Sequence, residues 1–448
     1  MKINNGVWVP LAALLLLAAS GCMEKKQKPP EEPEKLKVMY RSASEFNDYY
    51  GQYFIAQYPN VELEVIATGM ATDEERIAMA RENMPDVVVM DYGSIPYWKE
   101  ELGLQNLDPL IKRDDFDIGG IHEGLVREVR DQGNGELVGL PQTFLAEALF
   151  YNKSLFDQYG VDYPVDGMTW KEIGDLARRF PQEGDPEQRI YGLSFDNYYD
   201  NDLFNLIRRI GQTNKLSYLA EEDTKVTLDT PLWRSAVRTA LELQESGALA
   251  PFEPLKLGAF DPSRHLFASG RAAMVIGNYL SLSGKIQQAT SVNPDLNLKW
   301  DVALSPVGDE DRSSGLYFMP SDVYAIPSAA GNSETAWKLV SYLNGDAYTK
   351  LMSASFENQQ YGLPTLYSRM DNIAVIEGHN PGVFERIQPN STQYYSDDEP
   401  RKSFYPFLAA SMEDRLKEAQ TSGKSVEEAL DELQASGQSE LDRLQGGQ

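Results

Sequence analysis

The chain has 448 residues, with 68 acidic against 41 basic side chains and a formal net charge of −27. That charge opposes nucleic-acid binding, where phosphates demand Lys and Arg. It disfavours phosphorylated ligands unless a local basic pocket receives them, and on a secreted protein it maintains solubility. One cysteine in the whole chain excludes an internal disulfide, so the fold must rest on its core, and the length suffices for two domains.

The N-terminus carries Lys2, an apolar run from Leu11 to Ala19, and the small residues Ser20 and Gly21. This is the pattern of a secretory signal. The run is too short to span ~30 Å of hydrocarbon, which takes ~20 apolar residues. The single cysteine, Cys22, follows at once, and then the polar, proline-rich MEKKQKPPEEPEK, predicted to be a flexible tether. Ser20-Gly21-Cys22 resembles a bacterial lipobox, with Ala19 where that motif most often has Leu. The resemblance implies a signal peptide over 1–21, a lipid-modified Cys22 as mature N-terminus, and a tether over 22–35. It implies a position on the outer face of the bacterial cytoplasmic membrane, where two or three acyl chains anchor firmly. The alternative is a free cysteine beside a conventional cleavage site.

LKVMYRS, Leu36–Ser42, predicts a strand and FNDYYGQYFIAQY a helix. PNVELEVIAT predicts a second strand, its Val61, Leu63 and Val65 alternating with Glu62 and Glu64. ATDEERIAMARENM predicts a helix, and DVVVMD a buried strand of the parallel-sheet kind. This alternation means an open α/β sheet covered by helices, with ligands expected at the strands' carboxyl ends. TWKEIGDLARRF predicts a helix with a capping box from Thr169 to Glu172. Further helices are predicted over DLFNLIRRIG, TPLWRSAVRTALELQESG and DPSRHLFASG. Strands follow at AAMVIG, LKWDVALSP and VYAIPS, then a helix over NSETAWKLVSYLNG and two amphipathic helices in the tail.

Catalytic arrangements are missing from the sequence. His122, His265 and His379 are far apart, lack ligand spacing, and stand in polar segments predicted to be exposed; no metal site is expected from them. GLSFD lacks the second glycine of a nucleophile elbow. The GKS at Gly423–Ser425 follows a helix instead of a strand and is rejected as a phosphate loop. No motif marks a glycosidase carboxylate pair, although a secreted carbohydrate-active enzyme remains the rival class. No catalytic residue and no cofactor is assigned.

The run LVGLPQTFLAEALFYNKSLF, Leu137–Phe156, resembles a segment of extracellular solute-binding proteins of ABC importers, the maltodextrin-binding type. PDVVVMD, MTWKEI, LFASGRAAMVIGNY, WDVALSPVG, an Ala-Ile-Pro strand before AWKLVSYL, the GLP turn at Gly362–Pro364 and GKSVEEALDELQ continue the resemblance in order. It implies a type II periplasmic-binding-protein fold, two α/β lobes joined by a hinge with the ligand between them. Crossings are expected near Thr143–Leu145, near Ala303–Pro306 and after Gly345. Lobe one would be 36–143 with 306–346, and lobe two 144–305 with 347–448. The implied function is a monomeric, lipid-anchored receptor that delivers a carbohydrate, an oligosaccharide by preference, to ABC permease subunits. A cationic ligand drawn to the acidic surface is the rival.

Sugars offer apolar C–H faces to aromatic rings and hydroxyls to Asp, Asn and Glu. The candidate contacts in lobe one are Arg41, Ser42, Ser44 and Glu45 past the first strand, and Asp91 and Tyr92 past the third. Ser42 and Ser44 serve equally well as helix N-caps, and Asp91 as a turn residue. Gln142 and Phe144 resemble cleft-facing hinge positions. In lobe two the candidates are Tyr198, Tyr199 and Asp200 in a polar loop, Asn278 and Tyr279 past AAMVIG, and Tyr317. Trp170, Trp233 and Trp337 lie at core spacing on helices, while Trp98 and Trp300 fit either role.

Overall fold

The computed structural model describes residues 33–196, 202–220, 223–251, 261–294, 296, 298–313, 315–356, 366–373, 379, 381–389 and 401–446. Five strands build the first sheet. β1 (Glu34–Tyr40) lies parallel to β2 (Val61–Ala67) on one side and to β3 (Val87–Asp91) on the other. β4 (Gly139–Pro141) is joined to this sheet through a later strand. The chain then enters β5 (Phe144–Asn152), β6 (Tyr191–Phe195), β7 (Ala272–Asn278) and β8 (Trp300–Leu304), which form the second sheet in the order β6-β7-β5-β8. β9 (Phe318–Pro320) pairs with the first three residues of β5. β10 (Asp322–Ala325) returns to the first sheet, antiparallel to β3 and β4, and gives it the order β2-β1-β3-β10-β4.

The strands form where expected because their side chains suit burial. Four of the five residues of β3 are buried, as a strand covered on both faces requires. β2 is the edge, and its glutamates face water while Val61 is buried. β5 divides its side chains between two cores. Phe144, Ala146, Ala148 and Phe150 face one core, and Leu149 and Tyr151 the other, which is the period-2 alternation of a strand inside a domain.

Helix ends follow their caps. Thr72 and Thr169 each form a full capping box, with Glu75 and with Glu172. The helix Pro231–Glu245 buries Trp233, Val237, Ala240 and Leu241 as its spacing predicts, and Trp170 and Trp337 are likewise buried. Two expectations change, and the open choice at Trp98 is resolved. DPSRHLFASG forms successive turns, because the His265 ring caps the Ala268 N–H at 3.1 Å and Gly270 takes φ +79°. Trp98 is fully buried and donates to Asp73 at 3.0 Å. The histidines are not exposed: His122 and His265 are buried, and the His379 ring stacks on Trp300 at 3.6 Å.

Three chain crossings between the sheets run side by side and are stitched together. Ser321 donates to the Thr143 carbonyl at 2.9 Å, Gln142 to Asp322 at 3.2 Å and Ser368 to Gln142 at 2.9 Å, and Thr143 bridges Tyr367. The first crossing runs through Gln142 and Thr143, between β4 and β5. The second lies at Ser321, not at 303–306, because β9 stays with β5. The third lies near Tyr367, because the helix Asp346–Phe356 sends Tyr348 and Met352 into the first core. The tether is also shorter than expected, since β1 begins at Glu34.

Candidate functional site

The carboxyl ends of β1, β2 and β3 and the amino end of β10 enclose a cavity of ≈ 260 Å³. Its polar wall is Tyr40, Arg41, Thr68, Arg76, Asp91 and Asp322, with the Gly69–Ala71 loop as a lip. Met70 on that lip is fully exposed. Local sequence explains each position. Tyr40 and Asp91 close their strands, and Arg41 is the first residue past β1. Asp322 opens β10 directly opposite Asp91, and Arg76 reaches over from the first turns of the helix Asp73–Asn83.

Charges on this wall alternate. The Arg41 Nε donates to Glu45 at 3.0 Å, and its guanidinium lies 3.8 Å from Asp322 and 4.9 Å from the Tyr40 ring centre. Arg76 pairs with Asp73 at 3.1 Å, lies 3.8 Å from Asp91 and rests over Trp98. The Arg41 hydrogen bond holds the Glu45 carboxyl below its ordinary range. Burial, reinforced by the charges of Asp91 and Glu45, pushes Asp322 up against the pull of Arg41 and Arg76.

The matching end of the second sheet is also polar. Glu147 on β5 stands opposite Asn278 on β7 and takes a bidentate ion pair from Arg209 at 2.8 and 2.9 Å. Both side chains are buried, and the Arg209 guanidinium lies over Phe195. Asp196, just past β6, accepts from His265 Nε2 and Lys285 Nζ, each at 2.8 Å. Because the His265 Nδ1 accepts the Ala268 N–H, its Nε2 carries the hydrogen. Burial alone would raise Asp196, but these two partners outweigh it and hold the carboxyl below its ordinary range. Tyr317, half-buried, has φ +36°. Left-handed backbone in a non-glycine residue costs roughly 1–3 kcal/mol and concentrates at functional sites. Its carbonyl accepts the Glu147 N–H at 2.9 Å.

Of the residues expected from sequence, Arg41 and Asp91 line the cavity, and Glu45 supports it through Arg41. Ser42 is the N-cap of the following helix, accepting the Glu45 N–H, and its hydroxyl meets that of Ser44 at 3.2 Å. Asn278 caps the helix Tyr279–Val292. Four candidates lie inside. Tyr92 is buried with its hydroxyl on Glu128. Gln142 is buried and donates to the Leu343 carbonyl at 3.1 Å. Phe144 packs on Phe318 and Phe384. Tyr279 stacks on Phe150 and meets Phe384 edge-on at 5.0 Å, because the Asn278 cap turns the chain into a helix whose first side chain points into the core. Tyr198, Tyr199, Asp200 and Cys22 lie outside the described residues.

The sequence reading missed Tyr40, Arg76 and Asp322, and the Glu147–Arg209 pair. Asp322 was recoverable as the charged residue opening the VYAI strand, and Arg76 as a helix residue just past a strand's carboxyl end. The Glu147–Arg209 pair spans distant segments and leaves no local trace. Among the described residues, no cluster of His, Cys, Asp and Glu is arranged to hold a metal, and no helix is long and apolar enough to cross a membrane.

The family model for bacterial extracellular solute-binding proteins matches residues 42–350. The structure is similar to that of an ABC substrate-binding protein from Listeria monocytogenes in complex with cycloalternan, at 19% identity and TM-score 0.58, covering 92% of this chain and 98% of that one. It is similar to the sugar-binding protein MalE from Xanthomonas citri, at 16% identity and TM-score 0.65, covering 91% and 98%. A curated relative from Brucella abortus (strain 2308), whose name states binding but no ligand, is 26% identical over 241 residues, 52% of this chain and 51% of that one. The chain thus spans about half the length of the curated relatives it matches. The fold is that of a type II periplasmic binding protein, and the chain belongs to the bacterial extracellular solute-binding protein family.

Proposed function

We propose that the protein is the lipid-anchored receptor of an ABC importer, holding a carbohydrate between two lobes and delivering it to the permease. Lobe one comprises β1–β4, β10, the helices before β5 and the helices after β10 as far as Phe356; lobe two comprises β5–β9, the helices between them and the remainder. The observation that carries this reading is the cavity where the carboxyl ends of β1, β2 and β3 meet the start of β10. Open α/β sheets bind ligands at such ends. Ligand that touches both lobes favours their closed arrangement, a shift of population with no chemistry. Solved proteins of similar fold hold cycloalternan, tagatose and maltose, which supports a sugar. Arg41, Asp91, Asn278, Tyr317, Tyr198, Tyr199 and Asp200 are the proposed contacts, with the protein a monomer anchored through Cys22 to the outer face of the cytoplasmic membrane.

Thermal melts against maltose, cycloalternan, tagatose and a cationic amine test the ligand class. A bound sugar at one hundred times Kd adds about 2.7 kcal/mol of stability. Stabilisation by the amine alone would select the cationic reading.

A further inference from the structure

Asp322 combines three properties that no packing role requires. It is a carboxylate with only 16% of its side chain exposed, it faces Asp91 directly across the β10–β3 pair, and no donor hydrogen-bonds it among the described residues, Arg41 lying at 3.8 Å. A buried charge without hydrogen bonds is costly, and like charges directly opposite each other are destabilising. Beside it in the same wall, the Tyr40 hydroxyl is buried and makes no well-formed hydrogen bond among the described residues, with Glu45 and Tyr50 as its polar neighbours. A carboxylate with no protein donor and a hydroxyl with no well-formed hydrogen bond thus share one small cavity. The same Asp322 accepts the Gln142 N–H through its carbonyl at the hinge crossing.

We propose that Asp322 is the specificity-determining carboxylate of the lobe-one half-site, accepting hydrogen bonds from hydroxyls of a single sugar ring, with Tyr40 hydrogen-bonding the same ring. This rests on the carbohydrate reading and narrows it. The cavity, ≈ 260 Å³, lies just below the ~300–1,000 Å³ of drug-sized ligand sites, so it holds one ring rather than a chain of them. Arg41 and Arg76 balance Asp91 and Asp322 in the same wall, so no net negative charge draws an ammonium group, and the guanidiniums donate to neutral ring and hydroxyl oxygens, which favours a polyol over a cation. Because the ligand's acceptor and the hinge hydrogen bond belong to one residue, capture in lobe one is linked to the crossing that sets the lobes' relation.

The test measures affinity and unliganded stability together, in the full chain and in Asp322→Asn and Tyr40→Phe variants. The probes are D-glucose, D-tagatose, maltose and cycloalternan, with choline as the cation. Asp322→Asn removes a largely buried charge facing Asp91, and Tyr40→Phe removes an unbonded buried hydroxyl, so the unliganded variants should melt no lower than the parent. Affinity for the sugar that stabilises the parent should fall roughly tenfold or more in Asp322→Asn, the loss of a hydrogen bond to a charged group, and less in Tyr40→Phe. A purely structural role would lower the melting temperature and leave affinity intact. Equal sugar affinity in the parent and in Asp322→Asn overturns the inference and leaves the carbohydrate reading standing. A parent that no sugar stabilises, or that binds choline instead, overturns the carbohydrate reading and this inference with it.

Discussion

Asp322 and Asp91 stand directly opposite each other across the antiparallel pair of β10 and β3. Asp322 is the more buried of the two, and its carboxyl is raised by burial first and by Asp91 and Glu45 after it, against Arg41 and Arg76. The tyrosines Tyr40, Tyr50 and Tyr324 feel the Asp322 charge from the core side and are themselves raised, mainly by burial. An acid raised in the fold binds its proton more readily there than in the unfolded chain. Its ionisation therefore destabilises the fold as pH rises through the window from the ordinary carboxylate value to the raised one. Asp322→Asn should stabilise the unliganded protein at neutral pH by roughly 0.2–1 kcal/mol. The gain should shrink as pH falls into the ordinary carboxylate range. Melts of parent and variant from acid to neutral pH check this, and a pH-independent difference would contradict it.

The Glu147–Arg209 pair is almost fully buried and bidentate. Removing the arginine alone leaves a buried carboxylate without its partner. Arg209→Met should cost about 3–5 kcal/mol in urea unfolding, and adding Glu147→Gln should recover a large part of that loss. A single-variant cost below about 1 kcal/mol would mean that water reaches the carboxylate.

Tyr279 is a core residue. Its ring is fully buried against Phe150 and Phe384, and its hydroxyl has no hydrogen-bond partner among the described residues. Tyr279→Ala should lose about 3–5 kcal/mol of stability, whereas Tyr279→Phe should be nearly neutral and bind ligand like the parent. Loss of affinity in Tyr279→Phe with stability unchanged would return this residue to the binding surface.

Cys22 provides the membrane test. Expressed in a bacterium, Cys22→Ser should leave the membrane fraction, because the acyl chains supply the affinity. Retention in that fraction would contradict lipid anchoring.

Local signals in the sequence proved dependable. The unbroken VVVM of β3, the capping box at Thr169 and the apolar face around Trp233 each depend on neighbours a few residues away, and each forms as read. Ser425 of the GKS run accepts the Glu428 N–H and caps a helix. What escaped depends on distant partners. Tyr279 ends a strand in sequence, but a helix starting at that residue and Phe384 more than a hundred residues later decide where its ring goes. His265 sits among polar neighbours yet is buried by its bond to Asp196. The second crossing moved to Ser321 because the short β9 pairs with β5 across more than 170 residues. The charged pocket wall was half legible, since Arg41 and Asp91 end their strands, while Asp322 became a pocket residue only once β10 was placed antiparallel beside β3.

The central claim is capture of a sugar by closure of two lobes about the stitched crossings at 142–143, 321–322 and 367–368. Small-angle scattering of the purified protein, without ligand and with the sugar that stabilises it in melts, tests this most directly. The account predicts a smaller radius of gyration in the saturated sample, and a smaller change for Asp322→Asn at the same sugar concentration. An unchanged radius at saturation would contradict capture by closure.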